Sequence, residues 1–281
     1  MTGPVVSTAW LARHLDHSVL RLADVRWYLG EPARGEQAYR QGHIPGAFFV
    51  SLEADLSAAA GPGRHPLPAW DVFTHRMAEL GIGDDSVVVA YDDRGGGVAA
   101  RLWWMLRAIR HPRTHVLDGG LNAWVADGHP TTTDLPQHDG GDLSTQLRPG
   151  RTVDRDELAG RLGSVVTIDA RAGERYRGET EPLDPVAGHI PGARNAPYED
   201  NLGPDQRFLP PELLAEKYRK LGAGGATETV VYCGSGVTAC HDLLAMEHAG
   251  LGEALLYPGS WSDWSAAGYE VAVGGEDEQS G

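Results

Sequence analysis

Short apolar runs bounded by glycine and charged residues alternate along this chain with stretches whose apolar positions recur at helical spacing. In the second half, VVTIDAR (165–171) reads as a buried strand, and PPELLAEKYRKLG (210–222) as an amphipathic helix opened by proline. TVVYC (229–233) reads as a further strand, TACHDLLAMEHAG as a helix closed by Gly250, EALLYPG as a strand and WSDWSAAG as a short helix. Strands alternating with helices predict an α/β fold, with parallel strands, right-handed crossovers and helices on both faces of each sheet. The longest purely apolar runs, such as VVVA at 87–90, are far too short to span a bilayer.

The pattern occurs twice. GHIPGA stands at 42–47 and again at 188–193, and GPGRHPLP at 61–68 matches GPDQRFLP at 203–210. Asp24-Val25-Arg26 and Asp169-Ala170-Arg171 end equivalent strands. SVVVAYD (86–92) matches ETVVYC (228–233), which sets Asp92 against Cys233, and Gly119 to Trp124 matches Gly259 to Trp264. Residues 130–150 have little apolar periodicity and read as the connector, so two domains are expected, 1–130 and 150–281.

The repeat serves as an internal control: what both halves share serves the fold, and what one half alone carries is a candidate for chemistry. On that rule His43 and His189 are turn residues, Arg26 and Arg171 pair with neighbouring carboxylates, and Trp124 and Trp264 are core. The helical spacing of Trp103, Trp104 and Met105 places them in the core as well. Cys233, Ser235, Arg175 and His65 stand apart, matched by Asp92, Arg94, Gly30 and Arg207.

Residues 233–239 read CGSGVTA, between a buried strand and a helix. In open parallel sheets ligands bind beyond the carboxyl ends of strands, where Cys233 is expected. Two closely spaced glycines let several N–H groups point at one spot, and the helix N-terminus behind them adds positive potential. That field favours a thiolate or a bound anion, and makes Cys233 a candidate nucleophile. The bland alternative is a small buried hydrophobe, which is the better description of Cys240, inside the helix.

Charge sharpens this picture. The net charge of −15 argues against nucleic acid and anionic membrane as partners, so an anionic substrate needs a positive potential built at the site itself. Two cysteines exclude a disulfide framework and suit a reducing cytoplasm. The N-terminal MTGPVVSTAW has no basic segment followed by an apolar stretch, so no signal peptide is expected. The terminal GGEDEQSG reads as a solvated tail.

The CGSGVTAC loop, the doubled HIPGA segment, the DAR strand end and the GSWSDW segment resemble the tandem-domain rhodaneses, a family that includes thiosulfate and mercaptopyruvate sulfurtransferases. The resemblance covers nearly the whole chain. It implies two rhodanese-like domains, the first inactive because Asp92 replaces the cysteine, and a double-displacement cycle without cofactor. Cys233 would take sulfur from a small anionic donor and pass it to cyanide, a thiol or a thioredoxin-like acceptor. Gly234, Ser235, Gly236, Val237 and Thr238 would cradle the persulfide. Gly234 and Ser235 follow the mercaptopyruvate pattern, whereas the thiosulfate type carries two basic residues there. Ser235 could donate to the donor's carbonyl, relay a proton, or only brace the loop.

Arg175 matches an arginine that holds the donor's carboxylate, a task suited to a bidentate guanidinium; Arg177 reads as a solvated charge. A second family arginine is replaced by acidic sequence, with Asp184 near its place. His65 resembles a histidine that the first domain contributes across the cleft, coupled to Ser235 or else simply exposed. Glu53 stands near the place of its acidic partner. Three other classes fit less well. Cysteine phosphatases need an arginine where Ala239 stands; a non-catalytic relay or binding module is opposed by Cys233 in the second half, although Asp92 makes it the description of the first; and Cys233, Cys240 and His241 match no common zinc spacing, so no metal is expected.

Overall fold

In the computed structural model, residues 3–137 and 139–275 are described; the last residues of the GGEDEQSG tail, 276–281, lie outside that range. Contacts divide the chain into two compact units. The first comprises Met1–Ala59, Leu67–Pro149 and Leu202–Phe208, and the second Ala60–Pro66, Gly150–Asn201 and Leu209–Gly281.

The first unit holds β1 (Val5–Val6), β2 (Leu20–Asp24), β3 (Ala47–Phe49), β4 (Val87–Tyr91) and β5 (Thr114–Leu117). Their spatial order is β1-β5-β4-β2-β3, every pairing parallel. The second unit holds β6 (Val166–Asp169), β7 (Arg194–Asn195), β8 (Thr229–Tyr232) and β9 (Leu255–Leu256), ordered β7-β6-β8-β9. A parallel bridge from Thr152 to Leu256 sits where β1 lies in the first unit. The two sheets therefore share one topology, and also a register: Asp24 pairs with Tyr91 and Asp169 with Tyr232. Helices flank both sheets, among them Ala99–Ala108 after β4 and Ala239–His248 after β8.

The shared motifs do what their duplication implied. Arg26 clasps Asp24 at 2.7 Å and Arg171 clasps Asp169 at 2.6 Å, and each guanidinium also donates to a glycine carbonyl, Gly42 or Gly188. These buried pairs close the strand ends, since an arginine so enclosed must spend its donors on partners. His43 and His189 are fully buried, stacked on Tyr39 and Tyr176 at 4.1 and 3.8 Å. Trp124 and Trp264 are core residues whose indole N–H groups each donate to a carbonyl six residues on, Pro130 and Glu270. Trp103, Trp104 and Met105 are likewise buried. The described residues of 130–150 form no helix or regular strand, but backbone bonds tie the segment down: Thr132 to His43, Asp142 to Asp84 and Arg148 to Ala108.

Candidate active site

Strand β8 ends at Tyr232, and Cys233 is the first residue beyond it. Its backbone is pinned on both sides: Cys233 N–H donates to Ser260 Oγ at 3.1 Å, and its carbonyl accepts from Trp261 N–H at 2.9 Å. The next carbonyl, Gly234, accepts from Ser262 N–H at 3.0 Å. Gly236 turns the loop back at φ +75°, where a β-carbon would stand 2.5 Å from the Pro258 carbonyl oxygen. Only glycine fits that turn without strain. The turn delivers its N–H to the Cys233 sulfur at 3.2 Å. Cys233 is 2% exposed, Val237 is buried, and Thr238 opens the ten-residue helix Ala239–His248. The sulfur thus meets a directed donor at a helix N-terminus, an environment that favours negative charge.

The first unit contains the same loop with its anion built in. Asp92 Oδ1 accepts from the N–H groups of Arg94 and Gly96, and Oδ2 from those of Val98 and Ala99, all at 2.8–2.9 Å. This strand–loop–helix turn therefore holds a negative charge with backbone alone. In the first unit its own carboxylate fills the cradle.

Ser235 lies beside Cys233, nearly buried, and its Oγ is 2.8 Å from His65 Nδ1. One correction concerns where His65 sits: it belongs to the second compact unit, through Ala60–Pro66. The reason is a close approach at Gly63, φ +77°, where a β-carbon would stand 2.4 Å from the Gly259 carbonyl oxygen. The next residue continues the contact, Arg64 N–H donating to Ser262 Oγ at 3.1 Å. Glu53 accepts from Trp27 Nε1.

At the mouth of the loop stands a cluster of charges. Arg175 Nη2 donates to Glu181 at 2.6 Å and lies 3.3 Å from Asp184 Oδ2. Asp184 also accepts from Arg64 Nη1, and Glu181 lies 3.3 Å from Arg171. Burial works against the Arg171 charge, but Asp169, Tyr232 and Glu181 outweigh it and hold the guanidinium above its ordinary value. Arg177 is solvated and pairs with Glu179. Beneath the loop, on the helix Ala239–His248, burial pushes the Asp242 carboxyl up to about 7, against the influence of Lys217 and Asn201.

The structure thus joins Cys233, Ser235, His65 and Arg175 around one loop. It adds Arg64, which the sequence reading passed over. The internal control would have found it, because the matching residue is the uncharged Gln206. No cation lies in the loop sequence itself, but Arg64 and Arg175 stand against Gly234. Among the described residues there is no cluster of metal-ligating side chains, and no helix is long and apolar enough to cross a membrane.

A cysteine sulfur that accepts the Gly236 N–H at a parallel strand end, with a serine–histidine pair on the same loop, defines a site for transferring a group through cysteine. The comparisons with known proteins carry this further. The rhodanese-like domain matches residues 7–127 and 154–267, and the chain belongs to that family, with the domain present twice. A Pseudomonas aeruginosa protein provisionally named 3-mercaptopyruvate sulfurtransferase is 45% identical over 270 residues, covering 94% of this chain and 95% of its own. A Mycobacterium tuberculosis protein with a provisional thiosulfate sulfurtransferase name is 42% identical, covering 87% of each. Among solved structures, an Escherichia coli protein described as a 3-mercaptopyruvate sulfotransferase of the rhodanese fold superposes with a TM-score of 0.82 at 32% identity. That superposition covers 93% of this chain and all of the other.

Proposed function

We propose that this protein transfers sulfane sulfur from 3-mercaptopyruvate to a thiol or cyanide acceptor, through a persulfide on Cys233. The observation that carries the reading is the Ser235–His65 hydrogen bond, 2.8 Å long, next to a cysteine whose sulfur already accepts a loop N–H. The Cys233 thiolate attacks the donor's sulfur and an S–S bond forms. The donor's C–S bond breaks, and its electron pair leaves as the enolate of pyruvate. The proton lost from the donor's thiol balances the one the enolate takes up, and on this reading the Ser235–His65 pair carries it. Arg175 holds the donor's carboxylate. In the second half-reaction an acceptor thiolate or cyanide attacks the outer sulfur, and the Cys233 thiolate departs.

On this reading residues 150–281 are the catalytic domain, and 1–130 an inactive one whose Asp92 fills the anion cradle. A cytoplasmic setting suits a nucleophile that must stay reduced, and a thioredoxin-like protein suits the acceptor's chemistry. Thiosulfate is the second reading, favoured by the two arginines at Gly234 and by the Mycobacterium tuberculosis relative's name. Steady-state kinetics decides between them. The Ser235–His65 pair serves a leaving enolate that must take up a proton, which the sulfite leaving from thiosulfate need not do, so kcat/KM is expected to favour 3-mercaptopyruvate over thiosulfate by roughly ten- to a hundredfold. Faster turnover of thiosulfate at equal concentration would reverse the assignment.

A further inference from the structure

We propose that Arg64 is a donor-binding residue, and that with Arg175 it forms a two-arginine clamp for the donor's carboxylate, held open by Asp184. The inference rests on the mercaptopyruvate reading above and names a residue for the same site. Its basis is where unspent hydrogen-bond donors point. Arg64 gives Nη1 to Asp184, and Arg175 gives Nε and Nη2 to Glu181 and Asp184. Among the described residues, Arg64 Nη2 and Arg175 Nη1 carry no hydrogen bond. These two atoms converge, at 2.8 and 3.4 Å from the point where a β-carbon on Gly234 would stand. They are therefore no more than about 6 Å apart, a gap that one carboxylate bridges with two charge-assisted bonds of about 2.7–2.9 Å. The convergence lies over the residue that follows Cys233.

The acidic residues fit this picture. The side chains of Asp184 and Glu181 are almost wholly buried and spend their charge on Arg64, Arg171 and Arg175. Asp184 sits between Arg64 and Arg175, so it offsets the repulsion of two adjacent guanidiniums and fixes their free edges toward Gly234. Gly234 itself has a role here, since a side chain would enter the gap where the clamp closes. Arg64 is anchored at its backbone by Ser262 Oγ, and Gly63 brings it into place.

The test compares 3-mercaptopyruvate with its neutral methyl ester in wild type and in the Arg64→Gln variant, on the full chain. Loss of the clamp should raise KM for the acid about ten- to a hundredfold with kcat little changed, and leave the ester's kinetics alone. Arg64→Lys should recover part of the loss, and Gly234→Ala, which crowds the Arg64 head group, should reproduce part of it. Equal penalties for acid and ester would show that Arg64 only braces the loop, and an unchanged KM for the acid would overturn the proposal outright. A wild type that does not turn over 3-mercaptopyruvate would instead overturn the donor assignment. Calorimetric binding of pyruvate to Cys233→Ser, with and without Arg64→Gln, would then decide the role of Arg64 alone. Equal affinities in that comparison would refute the clamp.

Discussion

At the residue scale the site depends on how few groups surround the sulfur and how fully each is committed. Arg175 serves two ends at once, neutralising Glu181 and Asp184 while aiming Nη1 at Gly234. Arg175→Ala should therefore raise KM for 3-mercaptopyruvate roughly ten- to a hundredfold, and also lower stability by about 1–3 kcal/mol, because Glu181 and Asp184 each lose one of two arginine partners. Arg175→Lys keeps the charge but not the fork, so it should restore most of the stability and little of the KM. Paired kinetics and denaturant titrations check this, and a lysine variant with wild-type KM would count against a bidentate role. Cys233, Ser235 and Arg175 were legible in the sequence because a doubled chain marks what one copy lacks. Arg64 was equally marked but fell next to the more conspicuous His65. That Asp184 is a partner rather than a hindrance could not be read, since salt-bridge geometry depends on how residues 60–66 fold back over Gly259.

At the element scale, hydrophobic patterning predicted most of what forms. The helix expected over 210–222 forms as Pro211–Lys220, and the strand expected over 165–171 forms as Val166–Asp169. Apolar runs mark strands by burial, while their ends are set by side-chain clasps such as Arg171 on Asp169, so the edges moved by a few residues. Polar burial on the helix that follows the Cys233 loop was not legible at all. Asp242 accepts from Asn201 at 2.8 Å, and Asn201 in turn accepts from Lys217 and Tyr218 at 2.9 Å each. This sits on a helix whose sequence reads as ordinary core. Its consequence is a pH dependence of stability. Burial raises the Asp242 carboxyl from 3.8 to about 7, so the folded chain retains a proton that the unfolded chain has lost. Stability from this group therefore falls as pH rises from about 4 to about 7, and is level above. Asp242→Asn should remove that slope, so that its stability relative to wild type improves between pH 5 and pH 7 in urea titrations. Parallel curves for the two proteins would mean that the proton is not held there.

At the scale of the whole molecule, the proposed function gives two copies of one fold different work. The first copy fills its own anion cradle with Asp92, whose four backbone hydrogen bonds occupy the place where a sulfur anion would sit. Yet the first half of the chain supplies Arg64 and His65, through a segment that belongs to the second compact unit. A fragment of residues 150–281 lacks both, and should lose most of its turnover even where it retains Cys233, Ser235 and Arg175. Circular dichroism would show that it folds, and donor kinetics would then show the loss. Full turnover by that fragment would mean that residues 60–66 are dispensable. The repeat itself was visible in the sequence, but the exchange of a short segment was not, because GPGRHPLP and GPDQRFLP look alike as local patterns.

The central claim is that sulfur passes through Cys233, and mass spectrometry of the intact protein after treatment with 3-mercaptopyruvate tests it most directly. Both cysteines lie beyond Lys220, the last lysine or arginine of the chain, so fragmentation between positions 233 and 240 is needed to assign the adduct. The account predicts one added sulfur atom on Cys233, removed by cyanide, retained in Cys240→Ser and absent in Cys233→Ser. Sulfur found on Cys240 alone, or full turnover by Cys233→Ser, would contradict it.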